Sequence, residues 1–277
     1  MLIIDVEARI QIAAGVFPQS RLSYANISLG KNPRTSPNLG GRIMADNFTI
    51  LVGTVGQGMN VSGDSGETWT KIRNPIPSEC NIRALRTYPD NPHRILAGSD
   101  GLGLFRSEDN GVTWETVDSP IGDKQVWSVA VDPKDSETIF AGTRPEGFRS
   151  RDGGKTWDKL SMGVNMECPI GTPRTTNIVV DPRDSNTIWA GIEVDGVYKS
   201  LDGGDNWVQM PELGPDPFHG DIHGMAITES GVYCTSPFGF ATSRDEGESW
   251  TWPRVVLDGI LDDRDAGVVE TGEGTLL

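Results

Sequence analysis

The sequence predicts an all-β protein, a β-propeller of four-stranded antiparallel blades, and three observations carry that expectation. An octapeptide of the form S-x-D-x-G-x-[TNS]-W occurs five times, at residues 62–69, 107–114, 150–157, 200–207 and 243–250. Successive copies lie 45, 43, 50 and 43 residues apart, the period of a four-stranded blade. Between copies, short apolar runs recur and are separated by Pro, Asp and Gly, as half-buried strands joined by tight turns require. The composition agrees: 34 Gly and 18 Pro in 277 residues supply many turns and argue against a mostly helical fold.

Inside the octapeptide, Asp64, Asp109, Asp152, Asp202 and Asp245 read as structural acids. A carboxylate at that place accepts main-chain N–H groups about two residues on, and the Gly that follows permits positive φ where a Cβ would clash. The Trp then opens the outgoing strand and is expected to bury its ring against the neighbouring sheet. Five identical catalytic acids would make little chemical sense, so the repeat is read as a hairpin that builds the fold.

The strands follow in order. The first unit has runs at 48–54, 59–62 and 68–72 but no inner strand before Met44. The second runs at 82–87, 95–98 and 104–106, the third at 126–131, 139–142 and 148–149, and the fourth at 178–180, 188–191 and 197–199, each entering the next octapeptide. Five units of about 45 residues leave room for one more blade at most, so the expected architecture is five recognisable blades of an incomplete six- or seven-bladed ring. Residues 44–252 are assigned to the propeller. Residues 1–43 read as a poorly structured extension, because 26–41 is rich in Asn, Ser, Pro and Gly without a period of 2 or 3.6. One hypothesis makes Met44 the natural start. Residues 253–277 read either as a ring-closing strand or as the stub of a truncated blade, and the missing inner strand of the first unit must come from one terminus or the other.

Charge and composition exclude several partners. Lys and Arg number 24 against 39 Asp and Glu, a formal −15 that repels a phosphate backbone, so no nucleic acid is expected. No apolar run approaches the roughly 18 residues of a membrane span. Asp5, Glu7 and Arg9 interrupt the first residues where a secretory signal needs an unbroken apolar stretch. Cys80, Cys168 and Cys234 have no C-x-x-C spacing, which favours reduced thiols. A cytoplasmic location is therefore expected, without cofactor or metal. The stretch His219-Gly220-Asp221-Ile222-His223 holds good metal ligands, but the outer pair of an extended strand lies about 13 Å apart, so only two could share one ion unless Gly220 bends the chain.

The five octapeptides and the strand text between them resemble the Asp-box (BNR) repeat family of β-propellers. That family includes sialidases, xyloglucan-active endoglucanases, sortilin-like receptors and photosystem II assembly factors. The resemblance covers about residues 44–252 and implies the fold rather than an activity. It also implies that the boxes face away from a binding mouth, which lies at the loops before each inner strand and those joining second and third strands. Mapped that way, Asn81, Arg83, Gln125, Trp127, Arg174, Asn177, His219, Asp221 and His223 stand at the inner strands. Gln57, Asp100, Arg144, Glu146, Glu193, Asp195 and Phe238 stand in the connecting loops. Polar groups from several blades thus converge on one opening, and Arg83, Trp127, Arg144, Arg174, His219 and His223 are the expected ligand contacts.

Three functions fit. The first is a non-catalytic propeller whose mouth binds a glycan-like, small polar or peptide ligand. The second is a glycoside hydrolase with paired carboxylates drawn from Glu146, Glu193, Asp195 and Asp221, which needs carboxyl groups about 5 to 9.5 Å apart. The third is an assembly factor contacting a protein partner. Sialidase chemistry is disfavoured: Arg83, Arg144 and Arg174 could supply an arginine triad, but the R-x-P sequence ahead of the first box is absent, since Arg42-Ile43-Met44 holds no Pro.

Overall fold

The computed structural model describes residues 26–31, 48–167 and 169–252, and these form five antiparallel sheets. The first blade is β1 (Asn26–Lys31), β2 (Phe48–Gly53), β3 (Met59–Ser62) and β4 (Thr70–Ile72), paired in that order. The second is β5 (Ile82–Thr87), β6 (Ile95–Ser99), β7 (Leu104–Ser107) and β8 (Glu115–Thr116). The third is β9 (Val126–Val131), β10 (Ile139–Thr143), β11 (Gly147–Ser150) and β12 (Asp158–Leu160). The fourth is β13 (Thr175–Val180), β14 (Ile188–Ile192), β15 (Gly196–Ser200) and β16 (Val208–Gln209). The fifth has three strands, β17 (Gly224–Thr228), β18 (Gly231–Ser236) and β19 (Gly239–Ser243), and its fourth is reduced to one bridge between Thr242 and Thr251. A 3-10 turn, Pro217–Gly220, precedes β17, and among the described residues there is no α-helix.

The inner strands β1, β5, β9, β13 and β17 pack one beside the next, so the sheets succeed each other like blades around an axis. The inner strand of the first blade comes from the N-terminal side, within the segment read from sequence as a loose extension. It pairs with β2 from Asn26 opposite Gly53 to Lys31 opposite Phe48. The Asn, Ser and Gly content of 26–31 hid it, because a strand is held by its backbone ladder and needs no apolar alternation to pair. The proposed start at Met44 and the tail after Trp252 lie outside the described residues.

Four apolar cores hold the assembly, and each lies between consecutive blades. Leu51, Met59, Ile82, Leu85 and Phe105 join the first two, and Leu96, Leu104, Val126, Val129 and Phe148 the next two. Phe140, Leu160, Ile178, Ile188 and Tyr198 join the third to the fourth, and Trp189, Val197, Ile222 and Val232 the fourth to the fifth. Close approach is set by a glycine at the end of the second-strand run in the first four blades. A Cβ on Gly142 would stand 2.2 Å from Ser128 Oγ and 2.5 Å from the Thr175 carbonyl oxygen of the next blade.

All five octapeptides close the same hairpin between third and fourth strands. In the third blade, Ser150 Oγ donates to Asp152 Oδ1 at 2.8 Å and accepts the Gly154 N–H at 2.8 Å. Asp152 Oδ1 accepts the Thr156 N–H at 2.8 Å, Oδ2 accepts the Thr156 hydroxyl at 2.6 Å, and Trp157 Nε1 donates to the Gly154 carbonyl at 3.0 Å. The carboxylate therefore reaches four residues on, not two, because the turn is wider than an Asx turn. The fourth and fifth positions both have positive φ: Ser65 and Gly66, Asn110 and Gly111, Gly153 and Gly154, Gly203 and Gly204, Glu246 and Gly247. These bonds hold Asp64, Asp152, Asp202 and Asp245 at about 2, below their ordinary 3.8, the hydroxyl or amide at the seventh position being the largest cause.

The tryptophans depart from expectation in one place. Trp114 is buried and Trp157, Trp207 and Trp250 are partly buried against the inter-blade cores, but Trp69 is 46% exposed. Each later box packs on the blade before it, as Gly111 does on Leu51 and Gly204 on Leu160 and Phe140, whereas the neighbours of Gly66, Ile50 and Trp69, belong to its own blade. The residue before the box serine adds a cationic latch. Arg106 donates to the Gly153 carbonyl at 2.9 Å, Arg149 to Gly203 at 2.6 Å and Lys199 to Glu246 at 3.1 Å, each the fourth position of the next box. Arg149 is 5% exposed and also meets Asp205 at 2.7 Å.

Candidate functional site

At the end of the sheets opposite the boxes, the first inter-strand ladder slips by one residue in three blades. The slip falls between Ile82 and Ala84, opposite Thr143 at Trp127, and between Thr175 and Asn177. Arg83, Trp127 and Thr176 are thus equivalent bulge residues. A bulge re-aims its side chain out of the alternating pattern, which is how inner strands otherwise committed to packing present functional groups.

The bulges bring the side chains together. The Arg83 guanidinium carbon lies 4.2 Å from the Trp127 ring centroid and that of Arg174 4.4 Å, so the indole is flanked by cations from the preceding and following blades. Arg83 also meets Asp100 at 3.2 Å, and Asn81 Nδ2 donates to the same carboxylate at 3.1 Å. Arg174 meets Glu193 Oε1 at 2.5 Å. Asp221 Oδ2 meets His223 Nε2 at 3.2 Å. One connected polar array therefore runs across four blades, from Asp100 through Arg83, Trp127, Arg174 and Glu193 toward Asp221 and His223.

Glu193 is the electrostatic centre of this array. It is 7% exposed, and burial pushes its carboxyl up from 4.5 against the opposing pull of Arg174 and Arg144, with the Asp221 charge adding to the rise. Glu193 Oε2 and Asp221 Oδ1 are both buried acceptors without a hydrogen-bond partner among the described residues, and Trp127 Nε1 is a donor in the same condition. Unpaired buried polar atoms are costly, and three of them on residues of one array make it a candidate for a ligand that supplies what the protein does not.

Other residues expected at the mouth are committed elsewhere. Glu146 is neutralised by Lys159 Nζ at 2.5 Å. Asp195 Oδ2 accepts the Tyr198 hydroxyl at 2.7 Å and the Asn165 N–H at 2.8 Å, which ties it to its own blade and to the connection after β12. Arg144 Nε donates to the Thr172 carbonyl at 2.8 Å. His219 sits in the 3-10 turn, where its Nδ1 accepts the Asp216 N–H at 3.2 Å and its ring stacks on Phe238, so its ring is used within the protein. Gln57 is exposed, and Asn177 is buried in β13. Cys80 and Cys234 are buried free thiols, both pushed upward by burial, and Cys168 lies outside the described residues. Among the described residues no three His, Cys, Asp or Glu are placed to hold a metal ion, and no helix is long and apolar enough to cross a membrane.

Residues 103–213, which span most of blades two to four, match the family model described as "Sortilin, neurotensin receptor 3". A GH74 xyloglucanase from Xanthomonas campestris superposes with a TM-score of 0.58 at 17% identity, over 73% of this chain and 36% of that one. The extracellular domain of a hybrid two-component system from B. thetaiotaomicron gives 0.63 at 12% identity, over 85% of this chain and 30% of that one. With the repeated hairpin and the blade order, these likenesses decide the fold. The chain has the β-propeller fold. YCF48 from Cyanidioschyzon merolae is similar too, with a TM-score of 0.51 at 19% identity over 70% of this chain and 61% of that one. This propeller chain spans about a third of the length of the xyloglucanase, and no curated protein matches its sequence.

Residue types and blade positions were enough to nominate Arg83, Trp127, Arg174, Glu193, Asp221 and His223 in this propeller. Pairing was not legible, because Lys159 stands on an outer strand, β12, and nothing in its local sequence points to Glu146. The bulges were hidden as well. The one sign available was an arginine or tryptophan breaking the apolar alternation at the second residue of β5 and β9.

Proposed function

We propose that the mouth of this propeller binds a hydroxyl-rich, glycan-like ligand without cleaving it, through the array centred on Glu193 and Asp221. The observation that carries the reading is that Glu193 Oε2 and Asp221 Oδ1 are buried acceptors without a partner among the described residues, with the Trp127 N–H of the same array also unpaired. Acceptors of this kind call for O–H or N–H donors. Arg83 and Arg174 already face Asp100 and Glu193, so part of their charge is met within the protein. One similar structure is that of a xyloglucanase, which makes a xyloglucan heptasaccharide the natural first probe. Titration calorimetry should show saturable binding by the wild-type chain. Glu193→Gln with Asp221→Asn should weaken it at least about tenfold, since each lost charge-assisted hydrogen bond is worth about 1.5–3 kcal/mol. Unchanged affinity in that double variant would contradict the reading.

A second reading is favoured by the raised carboxyl of Glu193 beside Asp221. A carboxyl raised above its ordinary range by burial, close to a second carboxylate side chain, is the pattern general acid chemistry uses in glycoside hydrolysis. Release of aryl alcohol from aryl β-glucosides, abolished by Glu193→Gln, would establish this reading. A wild-type chain that binds the heptasaccharide and leaves it intact favours binding alone.

A further inference from the structure

An exposed aromatic ring is held in place in the fifth blade, at the same end of the sheets as the polar array. Phe238, in the turn between β18 and β19, is 52% exposed. Its inner face is stacked on His219, with centroids 4.2 Å apart and planes 6° from parallel. His219 is fixed in turn by Asp216 and by the edge of Trp252, whose ring centroid is 4.9 Å away at 77°. Trp252 Nε1 donates to the Leu213 carbonyl at 2.6 Å, and the Phe238 N–H donates to Ser236 Oγ at 3.2 Å. A large apolar ring at this exposure loses water-ordering cost only when something covers it, yet here the His219 stack and the Phe238 N–H bond hold it in place.

Its position ties it to the array already described. The 3-10 turn carrying His219 sits against the turn between β14 and β15, where a Cβ on Gly220 would be 3.1 Å from Gly196 N. Glu193 and Asp195 lead into that turn, and Asp221 directly follows Gly220. We infer that the outward face of Phe238 is a stacking platform for one pyranose ring of the ligand bound at Glu193 and Asp221, with His219 as its positioning residue.

The chemistry favours a sugar over a basic side chain. A pyranose presents axial C–H groups on its face and hydroxyls on its rim, so it covers a neutral ring while its hydroxyls donate to flanking carboxylates. A guanidinium or ammonium would be drawn to an indole, the stronger cation–π partner, and the protein's own Arg83 and Arg174 already flank Trp127.

This inference rests on the proposed glycan mouth, and calorimetry with the xyloglucan heptasaccharide on the full chain tests the two apart. Phe238→Ala should weaken binding about tenfold with an unchanged melting temperature, and Phe238→Trp should restore it. His219→Ala should weaken it less, and His219→Phe, which keeps the stack, should rescue it. If Phe238→Ala binds like wild type while Glu193→Gln with Asp221→Asn does not bind, the platform is wrong and the mouth stands. If the wild-type chain binds no heptasaccharide but takes a lysine-rich peptide, both are overturned.

Discussion

At the scale of single residues, the box serine and aspartate divide one task. Ser150 Oγ takes the buried Gly154 N–H, while Asp152 takes the N–H and hydroxyl of Thr156 at the exposed end of the turn. Ser150→Ala strands a buried donor and should cost about 1–3 kcal/mol in denaturant unfolding. The aspartates act through pH. Their folded values are depressed from 3.8 to about 2, so the stability they contribute is fully present above about pH 4 and is lost as pH falls toward 2. Acid unfolding followed by circular dichroism should therefore steepen between pH 4 and 2, and Asp152→Asn should flatten that dependence. An identical slope in the variant would contradict the bonding described. The box was legible to this depth because its residue types are fixed five times over. Its hydrogen-bond span was not, since the first left-handed position is filled by Ser, Asn, Gly, Gly and Glu, which share no side-chain signal.

At the scale of elements, the blades are welded by close approach at one end and by cations at the other. Gly142→Ala puts a Cβ into Ser128 and the Thr175 carbonyl and should destabilise by about 1–3 kcal/mol, the cost of overpacking a filled interior. Arg149→Met removes the bond to the Gly203 carbonyl and should lower stability by about 1–3 kcal/mol. The equivalent change at Arg106, whose side chain is 21% accessible, should cost less. Strand positions were legible almost residue by residue in blades two to four, where apolar alternation is strong. β1 was not, because its six residues, NISLGK, carry little apolar signal. A chain begun at Met44 would lose the ladder from Asn26 to Lys31, so it should melt at a lower temperature than the full chain. Equal melting temperatures would return that segment to the status of an extension.

At the scale of the whole molecule, four inter-blade cores in series make the stability a sum over neighbouring pairs rather than the property of one central core. Hydrogen exchange should accordingly be fastest in the two- and three-residue outer strands β4, β8, β12 and β16 and slowest in the buried β6, β10 and β14. This architecture also explains the site. Packing of inner strand on inner strand places residues 40 to 50 apart in sequence side by side, so Arg83, Trp127 and Arg174 meet without any local motif announcing it. The most direct test of the central claim is a crystal structure of the chain grown with the xyloglucan heptasaccharide. The account predicts sugar hydroxyls within hydrogen-bond distance of Glu193 Oε2 and Asp221 Oδ1; sugar bound only at the box end of the blades would contradict it.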